Sequence, residues 1–340
     1  MPESSTICVV GYGSIGARHA RNAGALGAKV FFLRSKAEVV DAVRLPGEID
    51  CVFDSEEAVA RRPDLAVIAL PTHLHIRAAL PFAKAGIPLL IEKPLSHTLT
   101  DLARLENILS QSRSGCYVGY MMRFDPSILA LRSVIMSGEL GPIHGAFVEW
   151  STYLPNWHPW EDYRQSYAAR SDMGGGVVLT CSHEIDLARF LFGECERVFA
   201  TGGRITGLEI DADDCVSMLL HHRAGIASHL HLTYAHRPAH RAIRVIGENG
   251  AAEWDFFRGC AEVIGSDGDR REVGRRPDDF NQVYVEELKA VLKAVHAREP
   301  DGSAISYREG RRTLDLCMAI LQSLGTRSVI DINEGAPTCS

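Results

Sequence analysis

The segment Ile7-Cys-Val-Val-Gly-Tyr-Gly-Ser-Ile-Gly16 decides the fold of the first part of the chain. A short β-rich run leads into a Gly-x-Gly-x-x-Gly turn, and residues 17–26 then have the composition of a helix. Residues 29–33 form a second β-rich run. The glycine pattern gains meaning in this succession of strand, turn, helix and strand. The segment therefore predicts a βαβ unit at the start of the chain.

The three glycines of this turn have separate physical roles. Gly11 permits the tight turn, Gly13 lets a pyrophosphate approach the backbone, and Gly16 lets the helix pack closely on the strand. A phosphate would lie at the helix N-terminus, where free N–H groups and the helix dipole favour negative charge. The turn therefore predicts dinucleotide binding by Gly11, Gly13, Ser14, Ile15 and Gly16.

The end of the second strand bears on which dinucleotide binds. An acidic residue there would bind the ribose diol of NAD, but this chain has Arg34 and Ser35. A guanidinium and a hydroxyl suit a 2′-phosphate, because arginine offers a planar set of donors to phosphate oxygens. These residues favour NADP as the cofactor. In the alternative, Arg34 stacks on the adenine and NAD also binds.

A second apolar run, Leu89-Leu-Ile91, is followed at once by Glu92, Lys93 and Pro94. As a buried strand, it would deliver Glu92 and Lys93 to the carboxyl end of the sheet, where ligands bind in open α/β folds. Pro94 prevents further regular pairing. We also predict a cis Lys93–Pro94 bond, since X–Pro bonds alone adopt cis at small cost. The alternative is a surface lysine at a strand end.

Strands and helices alternate through this part of the chain. Further strands are predicted over residues 50–53, 65–70 and 116–119, and helices over 55–62, 72–85 and 100–112. Ser55 and Thr100 are the expected helix caps. Strands separated by helices indicate a parallel, doubly wound α/β sheet.

The bulk properties are those of an ordinary globular protein of two domains. The chain has 340 residues, 46% of them apolar and 23% charged, and a net charge of −7. No dense basic run indicates nucleic-acid binding, and no apolar run reaches the length of a membrane span. The N-terminus lacks the features of a signal peptide, and the nine cysteines show no paired spacing. We expect a cytoplasmic protein with reduced thiols and no metal, nucleic-acid or membrane partner.

Four motifs together resemble one family. They are the glycine turn, Ala69-Leu-Pro-Thr-His-Leu-His75, Ile91-Glu-Lys-Pro-Leu95 and Gly119-Tyr-Met-Met-Arg-Phe124. The chain resembles the glucose–fructose oxidoreductase and inositol dehydrogenase family, called Gfo/Idh/MocA, over essentially its whole length. The Glu-Lys-Pro motif is the most specific of the four.

The resemblance implies roles for several residues. Lys93 is implied to reach both the nicotinamide ribose and the reacting hydroxyl group. The residues implied to border the cofactor are Leu70, Pro71, His75, Glu92, Lys93 and Arg123. The division that follows is a dinucleotide-binding Rossmann domain over residues 1–121 and a substrate-binding domain over residues 122–340.

The second domain reads as α+β with a large, mostly antiparallel sheet. Residues 126–137 are predicted to be helical, and strands are predicted over residues 143–152, 197–204, 215–221, 227–234, 241–247 and 251–257. Turn sequences at 223–225 and 247–250 suggest hairpins. Two more helices are predicted over 283–296 and 307–324. The resemblance implies one helix-covered face and one open face that builds a homodimer or homotetramer.

An aromatic loop, residues 153–167, has the most unusual composition in the chain. Aromatic faces such as those of Tyr153 and Trp157 suit the apolar faces of sugar rings, and Arg164 could hold a carboxylate or phosphate. We predict that these three residues bind substrate. The alternative is an aromatic loop that only covers the sheet.

A triple glycine at residues 174–176 precedes a helix in which Thr180, His183 and Asp186 recur at i, i+3 spacing. A histidine suits proton transfer during alcohol oxidation, and an acid one turn later could orient it. The resemblance implies that His183 is the base, facing Lys93 across a cleft. Many family members carry an aspartate four residues before this histidine, whereas here Thr180 occupies the nearest place. We predict Lys93, His183 and Asp186 as catalytic and Thr180 as substrate-binding.

These features predict an NAD(P)-dependent dehydrogenase that acts on a secondary hydroxyl of a sugar, sugar derivative or cyclitol, or reduces the ketone. Because the family aspartate is replaced, a second hypothesis is a regulator that binds cofactor and sugar without chemistry. A third is a carbonyl or imine reductase of the same fold.

Overall fold

A computed structural model describes residues 5–34, 50–112, 114–297 and 302–332. The chain divides into two compact units. One unit is Met1–Tyr120 with Tyr284–Arg312, and the other is Met121–Val283 with Thr313–Ser340. The chain first passes from one unit to the other between residues 120 and 121, one residue before the predicted domain boundary. The prediction made no provision for the return of the chain to the first unit.

The first unit contains a six-stranded sheet in its described residues. Its elements are β1 (Thr6–Val10), α1 (Ser14–Ala25), β2 (Lys29–Leu33), β3 (Cys51–Val52), α2 (Ser55–Ala60), β4 (Leu65–Ile68), α3 (His75–Lys84), β5 (Leu89–Glu92), α4 (Leu102–Gln111) and β6 (Cys116–Gly119). The strand order is β3-β2-β1-β4-β5-β6, and the paired strands are parallel. The predicted doubly wound parallel sheet is confirmed.

This order places a topological switch between β1 and β4, because the chain builds outward from β1 on one side before returning to β4 on the other. Ligands of such sheets bind beside the carboxyl ends of the strands at the switch. Every residue of β4 and β5 is buried. The apolar runs 65–68 in β4 and 89–91 in β5 reflect a sheet that is covered on both faces.

Two predicted helix caps were wrong. Ser55 is the first residue of α2, and the cap is Asp54, whose carboxylate accepts the backbone N–H groups of Glu56 at 2.7 Å and Glu57 at 3.2 Å. Helix α4 begins at Leu102 rather than at Thr100, and no side chain caps it. Asp54 and Ser55 are both good caps in sequence, and only the backbone path selects the first.

The second unit contains a nine-stranded sheet in its described residues. Its elements are α5 (Pro126–Ser137), β7 (Ile143–Tyr153), α6 (Val177–Thr180), α7 (Ser182–Phe192), β8 (Cys195–Gly203), β9 (Cys215–His222), β10 (Ala227–Thr233), β11 (Ala235–Gly247), β12 (Gly250–Asp255), β13 (Cys260–Gly265), β14 (Arg270–Arg275) and β15 (Ile330–Asp331). Helices α8 (Asn281–Ala297) and α9 (Tyr307–Thr326) complete the described chain. The strand order is β14-β13-β12-β11-β7-β10-β9-β8-β15.

This sheet is antiparallel except for the pair β7 and β10, so the predicted mostly antiparallel sheet is confirmed. Its two faces differ. Alternate residues such as Val148, Leu220 and Leu230 are fully buried, whereas Phe147 and Phe199 on the other face are 49% and 39% exposed. The sheet therefore has one covered and one open face.

The thiols lie mostly in the interior. All eight cysteines in the described ranges are free, and six of them are buried. Burial raises the pKa of the Cys8 thiol to about 12. Within the described parts of the chain, no helix combines the length and the apolar character that a membrane crossing requires.

Candidate active site

The glycine turn has the shape that a pyrophosphate requires. A Cβ atom on Gly11, whose φ is +103°, would lie 2.5 Å from the carbonyl oxygen of Ala69, and one on Gly16 would lie 2.3 Å from that of Gly11. A Cβ on Gly13 would meet no atom within 4 Å, so no described atom blocks an approach to this backbone. Ser14 and Ile15 begin α1, whose first turn carries no acidic side chain. The turn fits the predicted dinucleotide.

Arg34 follows β2 directly and is held between two aromatic rings. Its guanidinium carbon lies 5.5 Å from the centre of the Tyr12 ring and 6.0 Å from that of Phe53. Its backbone N–H donates to the carbonyl oxygen of Val52. Contact with aromatic faces restrains a guanidinium without using its N–H donors. Ser35, the other residue predicted to select NADP, lies outside the described residues.

His75 ties together the ends of β4 and β5. Its Nε2 lies 2.8 Å from the carbonyl oxygen of Leu70, and its Nδ1 lies 2.9 Å from that of Pro94. The ring is buried, and burial lowers the pKa of His75 although both carbonyls favour an N–H. Leu70 in turn packs beside Gly11, and Pro71 precedes the short turn into α3. Both ring nitrogens of His75 thus face protein carbonyls, so the ring holds together the residues that follow β4 and β5.

The Lys93–Pro94 bond is cis, as predicted. The neighbouring Glu92 carboxylate is turned into the interior, where Oε1 lies 2.7 Å from Nε2 of His19 and Oε2 accepts the backbone N–H of Lys93 at 3.3 Å. Burial is the largest single effect and opposes ionisation, but the bond to His19 and the neighbouring positive groups together outweigh it and lower the pKa of Glu92. Glu92 therefore stabilises the turn that carries Lys93. No local sequence pattern marks His19, because its partner Glu92 is 73 residues away along the chain.

In the second unit, His183 lies in the first turn of α7 and is 8% exposed. The predicted single helix is interrupted at Cys181, so Thr180 ends the short helix α6 while His183 and Asp186 share α7. The expectation of one helical face for all three residues was wrong for Thr180. The hydroxyl of Tyr234 donates to the carbonyl oxygen of Gly176 at 3.0 Å, and burial raises its pKa well above the usual value.

Asp186 is held by a buried ion pair with Arg123. Arg123 donates from Nε to Oδ2 at 2.8 Å and from Nη2 to Oδ1 at 2.7 Å, and the Thr313 hydroxyl donates to Oδ1 at 2.8 Å. The Arg123 guanidinium also lies 5.0 Å from the centre of the Phe190 ring. The structure thus joins two residues for which the sequence had suggested separate roles, one with the cofactor and one in catalysis.

A second buried ion pair holds α7 at Glu184, the residue next to His183. Arg241 on β11 donates from Nε to Oε1 of Glu184 at 2.6 Å, and its Nη2 lies 2.5 Å from the same oxygen. The Arg241 guanidinium also lies 5.0 Å from the Trp150 ring centre. Glu184 directly follows His183, so this pair fixes the backbone next to the candidate base.

Removal of one partner of this pair should be costly. We expect Arg241→Met to destabilise the protein by about 3–5 kcal/mol, because Glu184 would remain buried and uncompensated. The double variant Glu184→Leu/Arg241→Met should recover most of that loss, since neither charge is then left in the interior. Urea unfolding measures both. The control is Arg270→Met, in which an exposed partner of Glu253 and Glu262 is removed, and little change is expected. Equal losses in Arg241→Met and the control would contradict the prediction.

The aromatic loop is attached to the sheet through Trp157. Its indole N–H donates to the Thr152 hydroxyl at 2.9 Å, and its ring meets that of Tyr234 edge-on, with centroids 5.4 Å apart. Since Tyr234 bonds to Gly176, the residue before α6, it connects the ring of Trp157 to the start of that helix. Thr180, also predicted to bind substrate, is the last residue of the same helix.

Arg164 and Tyr153 lie in different surroundings from Trp157. The guanidinium of Arg164 bonds to Asp162 at 2.8 Å and to Glu209 at 2.7 Å, so a substrate anion would have to compete with two carboxylates. The Tyr153 ring is covered by the guanidinium of Arg237, whose carbon lies 3.5 Å from the ring centre. A sugar could stack only on the other face of that ring.

Asp213 is a titratable group that the sequence analysis did not single out. Its carboxylate accepts the backbone N–H of Val178 at 2.9 Å. A Cβ atom on Gly176 would lie 2.2 Å from Oδ1 of Asp213, so the carboxylate lies directly against Gly176, the residue before α6. Burial raises the pKa of Asp213 to about 6. No local pattern marks this residue, because only the fold brings residue 213 to α6.

Two family models match the chain. Residues 5–120 match the oxidoreductase family with an NAD-binding Rossmann fold, and residues 128–253 match the GFO/IDH/MocA C-terminal domain. The chain is 26% identical to the myo-inositol 2-dehydrogenase of Thermotoga maritima over 96% of its length and 98% of that protein's length. It is 27% identical to the inositol 2-dehydrogenase of Rhizobium meliloti, over 95% and 98% of the two lengths.

Solved structures share the fold. Levoglucosan dehydrogenase, in complex with NADH and levoglucosan, superposes with a TM-score of 0.85 at 19% identity, over 98% of this chain and 100% of that chain. The WlbA dehydrogenase from Bordetella pertussis, in complex with NADH and UDP-GlcNAcA, gives 0.79 at 21% identity, over 97% and 99%. From the two family matches and the Glu-Lys-Pro and glycine motifs, we conclude that the chain belongs to the Gfo/Idh/MocA family of oxidoreductases, with an NAD-binding Rossmann domain.

Proposed function

We propose that the protein is an NAD(P)-dependent dehydrogenase that interconverts a secondary hydroxyl and a ketone of a sugar, sugar derivative or cyclitol. The observation that carries this proposal is the position of Lys93, which follows β5 at the carboxyl edge of a sheet whose glycine turn fits a pyrophosphate. The inositol dehydrogenases among its relatives and the sugar ligands in similar solved structures support the substrate class.

The proposed mechanism uses one positively charged group, Lys93, and one base, His183. The ammonium of Lys93 donates a hydrogen bond to the reacting oxygen and stabilises the negative charge that develops on it. His183 accepts the hydroxyl proton during oxidation and returns it during reduction. Asp186 and Arg123 hold the helix of His183 in place. The nicotinamide, when bound, supplies the hydride chemistry, and the protein supplies position and electrostatics.

The same proposal covers the cofactor and substrate contacts. The glycine turn, with Ser14 and Ile15, holds the pyrophosphate, and Arg34 with Ser35 receives the 2′-phosphate of NADP. Leu70, Pro71 and His75 border the nicotinamide side. Trp157 and Thr180 contact the substrate, together with Tyr153 and Arg164 from the loop. For Arg34, the alternative of stacking on adenine keeps NAD as a second cofactor, and titration of both dinucleotides by calorimetry distinguishes the two.

A turnover screen tests the function. The protein is incubated with NAD or NADP and a panel of cyclitols, aldoses and uronic acids, and reduced cofactor is followed by its absorbance. We expect oxidation of at least one polyol. Binding of cofactor and sugar without any turnover would instead favour the non-catalytic regulator. Turnover of simple carbonyls or imines alone, supplied with reduced cofactor, would favour the third hypothesis.

We further propose that the open sheet face joins copies of the chain into a homodimer or homotetramer. Phe147, Phe199 and Leu219 present apolar surface there, and the ring of His229 stacks on Phe147 at 5.1 Å between centroids. Sedimentation velocity measures the mass in solution. A monomer at all concentrations would exclude this assembly.

A further inference from the structure

His19 links the helix that begins at the glycine turn to the turn that carries Lys93. It lies on α1, three residues after Gly16, and its side chain is entirely buried. Its Nε2 lies 2.7 Å from Oε1 of Glu92, the residue that directly precedes Lys93. One bond therefore connects the candidate phosphate-binding helix to the candidate catalytic segment.

Glu287 on α8 is a buried acid that the mechanism above does not use. It is 1% exposed, and neither carboxylate oxygen has a hydrogen-bond partner among the described residues. Glu287 lies three residues after Tyr284, on the same helix face. The Tyr284 ring lies 6.4 Å from that of His19 and 4.4 Å from the guanidinium carbon of Arg18. The face of α8 that carries Tyr284 and Glu287 therefore packs near His19, the partner of Glu92.

The two buried acids have opposite tendencies. Burial raises the pKa of Glu287 well above its usual range, and the charge of Glu92 raises it further. The bond to His19 lowers the pKa of Glu92 against the effect of burial. Two nearby carboxyl groups in a low-dielectric interior do not both ionise readily. Within this pair, the bond to His19 favours the ionised form of Glu92, whereas burial favours the protonated form of Glu287.

We propose that His19 and Glu287 are positioning residues for Lys93, which enclose the Glu92 carboxylate and thereby fix the turn that carries the lysine. Lys93 touches the substrate only if the proposed function holds, so the inference rests on that function. The titratable and charged groups that face this cluster are His19, Glu92, Lys93, His75, Arg18 and Tyr284.

The first arm of the test is thermal stability against pH, which needs no substrate. A carboxyl group whose pKa is raised in the folded state stabilises the fold below its unfolded pKa of about 4.3, and this contribution is lost as pH rises through the folded pKa. Glu287→Gln resembles the protonated acid but has no proton to lose. We expect Glu287→Gln to have the wild-type Tm at about pH 4 and a Tm several degrees above wild type at about pH 8. Glu286→Gln, at the exposed neighbour paired with Lys289, is the matched control and should leave both values unchanged.

The second arm reads the position of Lys93 directly. Lysines are labelled by reductive ¹³C-methylation, and the Lys93 resonance is assigned by its loss in Lys93→Arg. We expect His19→Gln and Glu287→Leu to shift and broaden that resonance, with and without NADP. The control His296→Gln changes an exposed histidine of the same unit, bonded to Ser5, and should not shift it. An unchanged Lys93 resonance in His19→Gln, or identical Tm–pH curves for wild type and Glu287→Gln, would overturn the proposal.

The third arm uses turnover. His19→Gln should lower kcat by about tenfold or more while cofactor Kd and substrate KM stay within about threefold, because only the position of Lys93 changes. Glu287→Gln should keep near wild-type kcat. For His19→Gln, a fall in Tm with no change in kcat would reduce His19 to a structural role and overturn the proposal. Absence of any turnover in the wild type would instead refute the proposed function, while the first two arms still decide the positioning.

Discussion

Lys93→Met is expected to lower kcat by at least about 10³-fold while dinucleotide binding remains measurable. Methionine has nearly the length of lysine but neither its charge nor its N–H donors. The variant would lose the hydrogen bond and the charge that stabilise the developing oxyanion. The glycine turn, which would hold the pyrophosphate, is made of backbone and does not depend on the lysine.

Two measurements together make this prediction specific. Turnover is followed by the absorbance of reduced cofactor, and NAD or NADP binding is followed by fluorescence or calorimetry. Lys84→Met, at an exposed lysine of α3, is the matched control and should retain wild-type kcat. Near-normal turnover in Lys93→Met would refute the assignment of Lys93. Loss of both binding and turnover would point to a damaged fold.

His183→Asn is expected to lower kcat/KM for alcohol oxidation by about 10²–10⁴-fold, the usual contribution of a positioned general base. Asparagine is smaller than histidine but keeps a polar side chain in this buried helix, and its amide group cannot accept the proton. A base must be deprotonated to accept the hydroxyl proton, so wild-type oxidation should fall as pH drops below the pKa of that base. The variant should lose this dependence.

The measurement is a pH profile of kcat/KM for wild type and variant. His144→Asn, at an exposed histidine of β7, should retain both the rate and the profile. An unchanged acid limb in His183→Asn would assign that limb to another group. Asp213 would then be the first candidate, because burial raises its pKa to about 6 and its carboxylate lies against Gly176, the residue before α6.

Errors of the sequence analysis arose where several local signals were equally good. The helix break at Cys181 separates Thr180 from His183, although their spacing alone is helical. Strands β13 and β14 were not predicted. β14 has the charged sequence Arg-Arg-Glu-Val-Gly-Arg and lies at the sheet edge, where charge prevents further pairing rather than marking a strand.

The ion-pair partners of charged side chains could not be predicted from the sequence. Arg164 was predicted to hold a substrate anion, and its bonds to Asp162 and Glu209 became visible only in the fold. Glu209 is 45 residues away from it along the chain. Sequence reasoning assigns a charge to a residue, but the partner that neutralises the charge depends on tertiary contacts.

The sequence by itself determined the glycine turn, the parallel sheet, the Lys93–Pro94 turn and the family. Each of these features depends on residues that are contiguous in the chain. The backbone freedom of glycine, the geometry of proline and the pattern of apolar residues all act over a few neighbouring positions. Only the tertiary structure decided what surrounds the catalytic candidates. His19 meets Glu92 across 73 residues, and Arg123 meets Asp186 across 63. The buried setting of Glu287 likewise arises only when α8 packs in the first unit, since burial and pairing are properties of packed elements rather than of the local chain.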